Sequence, residues 1–391
     1  MDLRSGRTYK VLRRMEKRKT GGTKDMVETI AAVGLPIDER LEIRKHRILP
    51  ERPLEAAETA AAGRTAADAI RAGQIAAGAP GQAVVCTSGQ GAGYASGQAA
   101  AYPPERMRRI SIVTGIHGDE LEGQYVCFEL QRRIQAEKEH LAGIVDIYPA
   151  MNPLGIDSIT RGIPSFDLDM NRTFPGDIDG NMTEYLAAKI IQDVAGSDCV
   201  LDIHASNIYL TEIPQIRINE LHQERLVPLA QLANVDLIWV HGASTVLEST
   251  FAYSLNAIGT PVLVVEMGVG MRITKAYGDQ MVDGIFSLMK ALGIWRGEAK
   301  PVKDPIISRD PQDVCYLNAS VGGLFLPSVA HGAWLKEGER IGQIVDPLRG
   351  EVLDEVLSPA EGMLFTIRDY PIVDEGSLMG RLLRKEACGR G

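Results

Sequence analysis

Two of the chain's seven histidines stand where an imidazole can meet a carboxylate. The run Ile110-Ser111-Ile112-Val113 reads as a buried strand and leads into Thr114-Gly115-Ile116-His117-Gly118-Asp119-Glu120, after which helical spacing begins. An H-x-x-E step lets an imidazole and a carboxylate converge on one ion from a single turn. The same pair also reads as a helix-entry histidine beside a first-turn glutamate favoured by the helix dipole. His204 ends a second apolar run, Cys199-Val200-Leu201-Asp202-Ile203. A histidine leaving a buried strand at the same sheet edge would supply a third ligand. Two His and one Glu with an open fourth position is the arrangement of catalytic rather than structural zinc. A purely structural His204 is the competing reading, and Asp202 would orient its imidazole from behind in the metal case.

Glu266 closes a third apolar run, Val262-Leu263-Val264-Val265. A carboxylate there is costly unless used or paired. As a general base it would take a proton from metal-activated water, with partial burial raising its pKa toward the working range. A capping or salt-bridging glutamate is the alternative. After Asn152-Pro153 come Arg161 and the stretch Asp167-Leu168-Asp169-Met170-Asn171-Arg172-Thr173-Phe174-Pro175-Gly176. Arginines on an irregular loop beside a metal suit two jobs, polarising a scissile carbonyl and clamping a carboxylate with two hydrogen bonds. Without the metal, Arg172 reads as held by Asp167 or Asp169 in a loop ion pair.

The elements that must position these residues are near-continuous apolar strands alternating with helices. Strands are expected at 110–113, 144–147, 199–203, 237–240 and 262–265, and helices at 121–134, 184–194 and 280–292. That alternation predicts an α/β fold, a mostly parallel or mixed sheet with helices on both faces. Ligands gather beyond the carboxyl ends of such strands, where His117, His204 and Glu266 emerge. Ahead of this unit lie a basic tail (residues 1–25) and two alternating strands around Val27–Ile30 and Leu41–Arg44 with a turn at Gly34-Leu35-Pro36. Residues 55–104 are Ala-, Gly- and Gln-rich and read as an insertion; Gly89, Gly91 and Gly93 are spaced G-x-G-x-G, which is not the dinucleotide-loop pattern. The α/β domain is placed at 26–298. From 299 to 391, short strands and Gly turns predict a small C-terminal all-β domain.

Composition narrows the function. With 42 Lys and Arg against 51 Asp and Glu, the net charge is −9, and no nucleic-acid partner is expected. No apolar run approaches the ~20 residues of a membrane helix. The five cysteines are scattered, with no C-x-x-C pair, so neither a disulfide framework nor a thiolate zinc site is expected. A cytoplasmic protein without membrane association is the expectation, with a symmetric homo-oligomer as the default assembly.

Taken together, His117-Gly118-Asp119-Glu120, Asn152-Pro153, Arg161, Asp169–Gly176, Asp202-Ile203-His204 and Val265-Glu266-Met267-Gly268 resemble the succinylglutamate desuccinylase/aspartoacylase family, a branch of the zinc carboxypeptidase-like fold. The resemblance spans Arg109 to about Gly270, with Asp119 standing where many members have Asn. It implies one Zn2+ per chain held by His117, Glu120 and His204, and Glu266 as the catalytic carboxylate. It further implies Arg161 as the arginine that polarises the carbonyl, with Asn171 and Arg172 holding the substrate carboxylate. Tyr253 and Tyr277 are candidates for a mobile substrate tyrosine. Residues 26–298 then form a zinc hydrolase domain, and the expected activity is a zinc-dependent amidohydrolase (deacylase) acting on a small N-acyl amino acid. A metallocarboxypeptidase acting on peptide C-termini shares every one of these residues, and a non-catalytic zinc-binding module is the rival from another class.

Overall fold

The computed structural model describes residues 25–51, 107–164, 168–242 and 248–389. The expectations for the basic tail and for the Ala/Gly-rich stretch at 55–104 lie outside the described residues, as does Asp167. Two strands, β1 (Met26–Gly34) and β2 (Arg40–Ile48), pair antiparallel across the anticipated turn. Then come β3 (Arg109–Thr114), α1 (Glu122–Ala136), β4 (Ile144–Tyr148), α2 (Pro153–Ser158), α3 (Met182–Val194), β5 (Cys199–Ser206) and β6 (Leu210–Asn219). They are followed by α4 (Gln223–Ala230), β7 (Leu237–His241), α5 (Phe251–Ala257), β8 (Val262–Val269) and α6 (Lys275–Ala291).

Strands β4, β3, β5 and β8 lie side by side and parallel, as their continuous apolar runs require. β2 and β6 flank them antiparallel, which makes the sheet mixed. One face is covered by α1, α4 and α6, whose Leu130, Leu229 and Ile285 meet Ile112, Leu201 and Leu263. The other is covered by α3 and α5, whose Ile190 and Phe251 meet Val113, Val200 and Val262. Helices therefore lie on both faces. Cys127 and Cys199 are buried free thiols in the first of these layers.

The remaining strands are β9 (Ile306–Ser308), β10 (Val314–Asn318), β11 (Gly323–Pro327), β12 (Trp334–Leu335), β13 (Arg340–Asp346), β14 (Glu351–Leu357), β15 (Gly362–Arg368), β16 (Ile372–Val373) and β17 (Leu378–Arg384). Strands β14, β13, β11 and β16 form a four-stranded sheet of their own. β15 instead pairs antiparallel with β6, Thr366 facing Glu212, and so joins the C-terminal strands to the larger sheet. Trp239 of β7 and Phe365 of β15 close the seam with ring centroids 5.6 Å apart. Among the described residues no helix is long and apolar enough to cross a membrane.

Candidate active site

Three side chains converge beyond the parallel strands. His117 and Glu120 lie on the loop from β3 to α1, and His204 lies within β5, which runs three residues past the expected strand. All three are buried, and one ligand atom from each falls within 4.8 Å of the others. Glu120 sits between the imidazoles, with Oε1 2.8 Å from His117 Nδ1 and Oε2 2.9 Å from His204 Nδ1. Each ring turns its far nitrogen to a second carboxylate. His117 Nε2 is 3.0 Å from Asp169 Oδ1, and His204 Nε2 is 3.2 Å from Asp202 Oδ2. Carboxylates behind the rings favour the proton on Nε2, through a hydrogen bond for His117 and by charge alone for His204, and leave the Nδ1 lone pairs facing inward, the arrangement that serves a metal.

A cation fits this geometry. His117 Nδ1 is buried and lacks hydrogen-bond geometry to any partner among the described residues, despite its short approach to Glu120. Burial opposes ionisation of Glu120, and the two imidazoles outweigh it, holding the carboxyl well below the usual carboxylate range. Burial likewise opposes protonation of the rings, but the facing carboxylates raise both histidines, His204 most of all. Without a cation the cluster is held by protons, and a divalent ion would displace them.

Asp169, read from the sequence as a loop partner for Arg172, has a contact to His117 that sequence reasoning missed. It caps a short turn, its Oδ1 accepts from Asn171 N at 2.8 Å, and its Oδ2 lies 3.6 Å from Arg161 Nε and 3.8 Å from Arg172 Nη1. Burial raises its carboxyl but the bond to His117 wins, bringing it down to about 2. One carboxylate thus ties a candidate ligand to both arginines. Arg161 also donates to Glu120 Oε1 at 2.8 Å, while Arg172 donates to the Asn171 carbonyl at 2.7 Å. The Asn171 side-chain oxygen accepts from Phe251 N at 2.9 Å, which leaves its amide hydrogens to other partners. Of the two tyrosine candidates, Tyr253 lies on α5, and the Tyr277 hydroxyl meets His331 Nδ1 at 3.1 Å.

Glu266 of β8 pairs in register with His204 of β5, so both side chains face the same way. Burial pushes its carboxyl up to about 7 against the pull of Arg217, whose Nη1 lies 3.2 Å away. Arg217 comes from β6, a strand the sequence reading did not anticipate, and also donates to Glu212 at 2.8 Å. Glu212 in turn receives Arg381 of β17 at 2.6 Å. Glu266 is therefore held by a charge chain reaching into the C-terminal strands.

The loop bearing His117 and Glu120 is set by close backbone approach. Asn152 caps α2 by accepting from Gly155 N at 2.9 Å, which presents Gly155 to Gly118. A Cβ on Gly118 would lie 2.0 Å from the Gly155 carbonyl carbon. Gly118→Ala is expected to destabilise the fold by about 1–3 kcal/mol and to weaken metal binding, because the loop must move away from α2. Thermal melts and metal titration of the variant check both. An unchanged melting point with wild-type metal affinity would show that the contact is unimportant.

Mixed sheet, two helical layers, a buried His-Glu-His cluster that could hold a metal ion and a strand-rich C-terminal region define an α/β protein with a candidate metal centre at the strand ends. The comparisons make this particular. Residues 106–292, just under half of the chain, match the succinylglutamate desuccinylase/aspartoacylase catalytic domain, and over that stretch the chain is similar to that family. It is 29% identical over 263 residues, 66% of this chain and 76% of the other, to the N-alpha-acetyl-L-2,4-diaminobutyric acid deacetylase of Halomonas elongata. A succinylglutamate desuccinylase/aspartoacylase structure from Rhodobacter sphaeroides superposes with a TM-score of 0.65 at 20% identity, covering 92% of this chain and 95% of that one. The product-bound ectoine utilization protein EutE (DoeB) from Ruegeria pomeroyi gives 0.61 at 20% identity, covering 71% of this chain and 85% of that one.

Proposed function

We propose that this chain is a zinc-dependent amidohydrolase that cleaves the acyl–amide bond of a small N-acyl amino acid. The buried His117–Glu120–His204 cluster with Glu266 in register beside His204 carries the reading. The likeness to an N-acetyl-diaminobutyrate deacetylase supports the substrate class. Zinc held by His117, Glu120 and His204 would supply Lewis acidity and lower the pKa of a water molecule. Glu266 takes the proton from the attacking water and delivers it to the leaving nitrogen as the C–N bond breaks, releasing a carboxylic acid and an amine. Arg161, half-exposed above Glu120, offers its guanidinium to the carbonyl oxygen as negative charge develops there. Arg172 and the side-chain amide hydrogens of Asn171 clamp the substrate's α-carboxylate.

The test is a panel of N-acyl amino acids and short unblocked peptides, assayed on zinc-loaded protein purified without a histidine tag. Release of free amino acid from the acylated substrates is expected. Trimming of peptide C-termini with no acyl–amide hydrolysis would overturn the reading in favour of a carboxypeptidase.

A further inference from the structure

Across the sheet the site has an order. The loop after β4 carries Arg161, Asn171 and Arg172. β3 and β5 bring His117, Glu120 and His204, β8 brings Glu266, and β6 lies beyond. His204 pairs with Glu266, and Glu266 pairs with Gln215 of β6, so these three side chains line one face over three adjacent strands. Ile216 and Ile218 point to the opposite face, into the core. Gln215 is fully buried, yet neither its Nε2 nor its Oε1 has a hydrogen-bond partner among the described residues. The row continues along β6 and β7 with further buried atoms that lack hydrogen bonds among the described residues, Arg217 Nε, Asn219 Nδ2 and His241 Nε2.

An apolar side chain of similar shape would serve the fold better at position 215, because a buried amide without partners forfeits its hydration for nothing. The missing partner is therefore sought in a ligand. With the α-carboxylate held by Arg172 on the β4 side and the amide bond at the His-Glu-His cluster, the acyl chain leaves the carbonyl in the opposite direction, over β8 toward β6. We infer that Gln215 determines acyl specificity, and that the acyl group is a short chain ending in a hydrogen-bonding oxygen, a hydroxyl or a carboxylate, rather than a plain acetyl group. The inference rests on the deacylase reading.

The experiment compares kcat/KM for one amino acid carrying acetyl, propionyl, glycolyl and succinyl groups, in the wild type and in Gln215→Leu. The wild type is expected to favour glycolyl or succinyl over propionyl by at least about tenfold, and the better of the two shows whether hydroxyl or carboxylate is read. In Gln215→Leu that ratio is expected to collapse by a similar factor. A second readout needs no turnover: glycolate or succinate should raise the melting temperature of the wild type more than propionate does, and Gln215→Leu should lose the difference. Should Leu prevent folding, Gln215→Asn keeps the amide, shortens its reach and is expected to fall between the two in both readouts. A wild type that prefers acetyl or propionyl, or a variant that keeps the wild-type ratio, overturns the acyl assignment alone. Zinc-loaded protein that hydrolyses none of the four amides overturns the deacylase reading as well.

Discussion

Glu266→Gln is expected to lower kcat by about 10²- to 10⁴-fold, the range a positioned general base contributes, while metal stoichiometry stays at the wild-type level. Glutamine keeps the shape of the side chain and loses only its ability to accept a proton. Glu266 is outside the His117–Glu120–His204 cluster, so metal binding survives. The pH profile separates this from a general disturbance. Burial raises the Glu266 carboxyl from 4.5 to about 7. A cation nearby favours the ionised form and lowers it again. Wild-type activity should therefore fall as pH drops through an apparent pKa between these values, because the base must be ionised to work. The variant's residual activity should lack that acid limb. Normal turnover by the variant would remove Glu266 from the mechanism.

His204→Ala has the second large effect. It takes away one of three candidate ligands and strips two buried carboxylates of their counterpart. Asp202 is 1% exposed and neither of its oxygens has a hydrogen bond among the described residues, so His204 at 3.2 Å is its charge partner there. Glu120 loses the contact on Oε2, keeping the Ala205 backbone N–H there. Metal content by elemental analysis should fall from about one equivalent per chain to near none, with activity lost in parallel. Breaking a buried pair in this way costs about 3–5 kcal/mol of stability, visible as a lower melting point in metal-free protein. One full equivalent of metal retained by the variant would mean that the cluster is not the site.

Much of the site was legible because its signals are local. The H-x-x-E step, the apolar run before it, and the runs before His204 and Glu266 each read from a few neighbouring residues, and the order of strands and helices implied that they meet at one sheet edge. β6 was not legible. Its Ile216 and Ile218 alternate as a strand should, but Glu212, Gln215 and Arg217 on the same strand are polar, and Pro214 interrupts the run. Those polar residues are tolerated inside only because distant partners meet them. Arg381, which neutralises Glu212, lies 169 residues further along the chain. The role of Asp169 was hidden for a similar reason: its nearness to Arg172 in sequence suggested an ion pair, which is present but loose at 3.8 Å, while its closer partner is His117, 52 residues away.

By itself, then, the sequence determined the elements and the chemical types at their ends, since hydrophobic period and motif spacing act over a few residues. Tertiary structure decided the register that sets His204, Glu266 and Gln215 side by side, the carboxylates behind each imidazole, and the joining of β15 to β6. These depend on strand pairing and charge compensation between segments far apart in the chain. Their energies exist only once the backbone has brought those segments together.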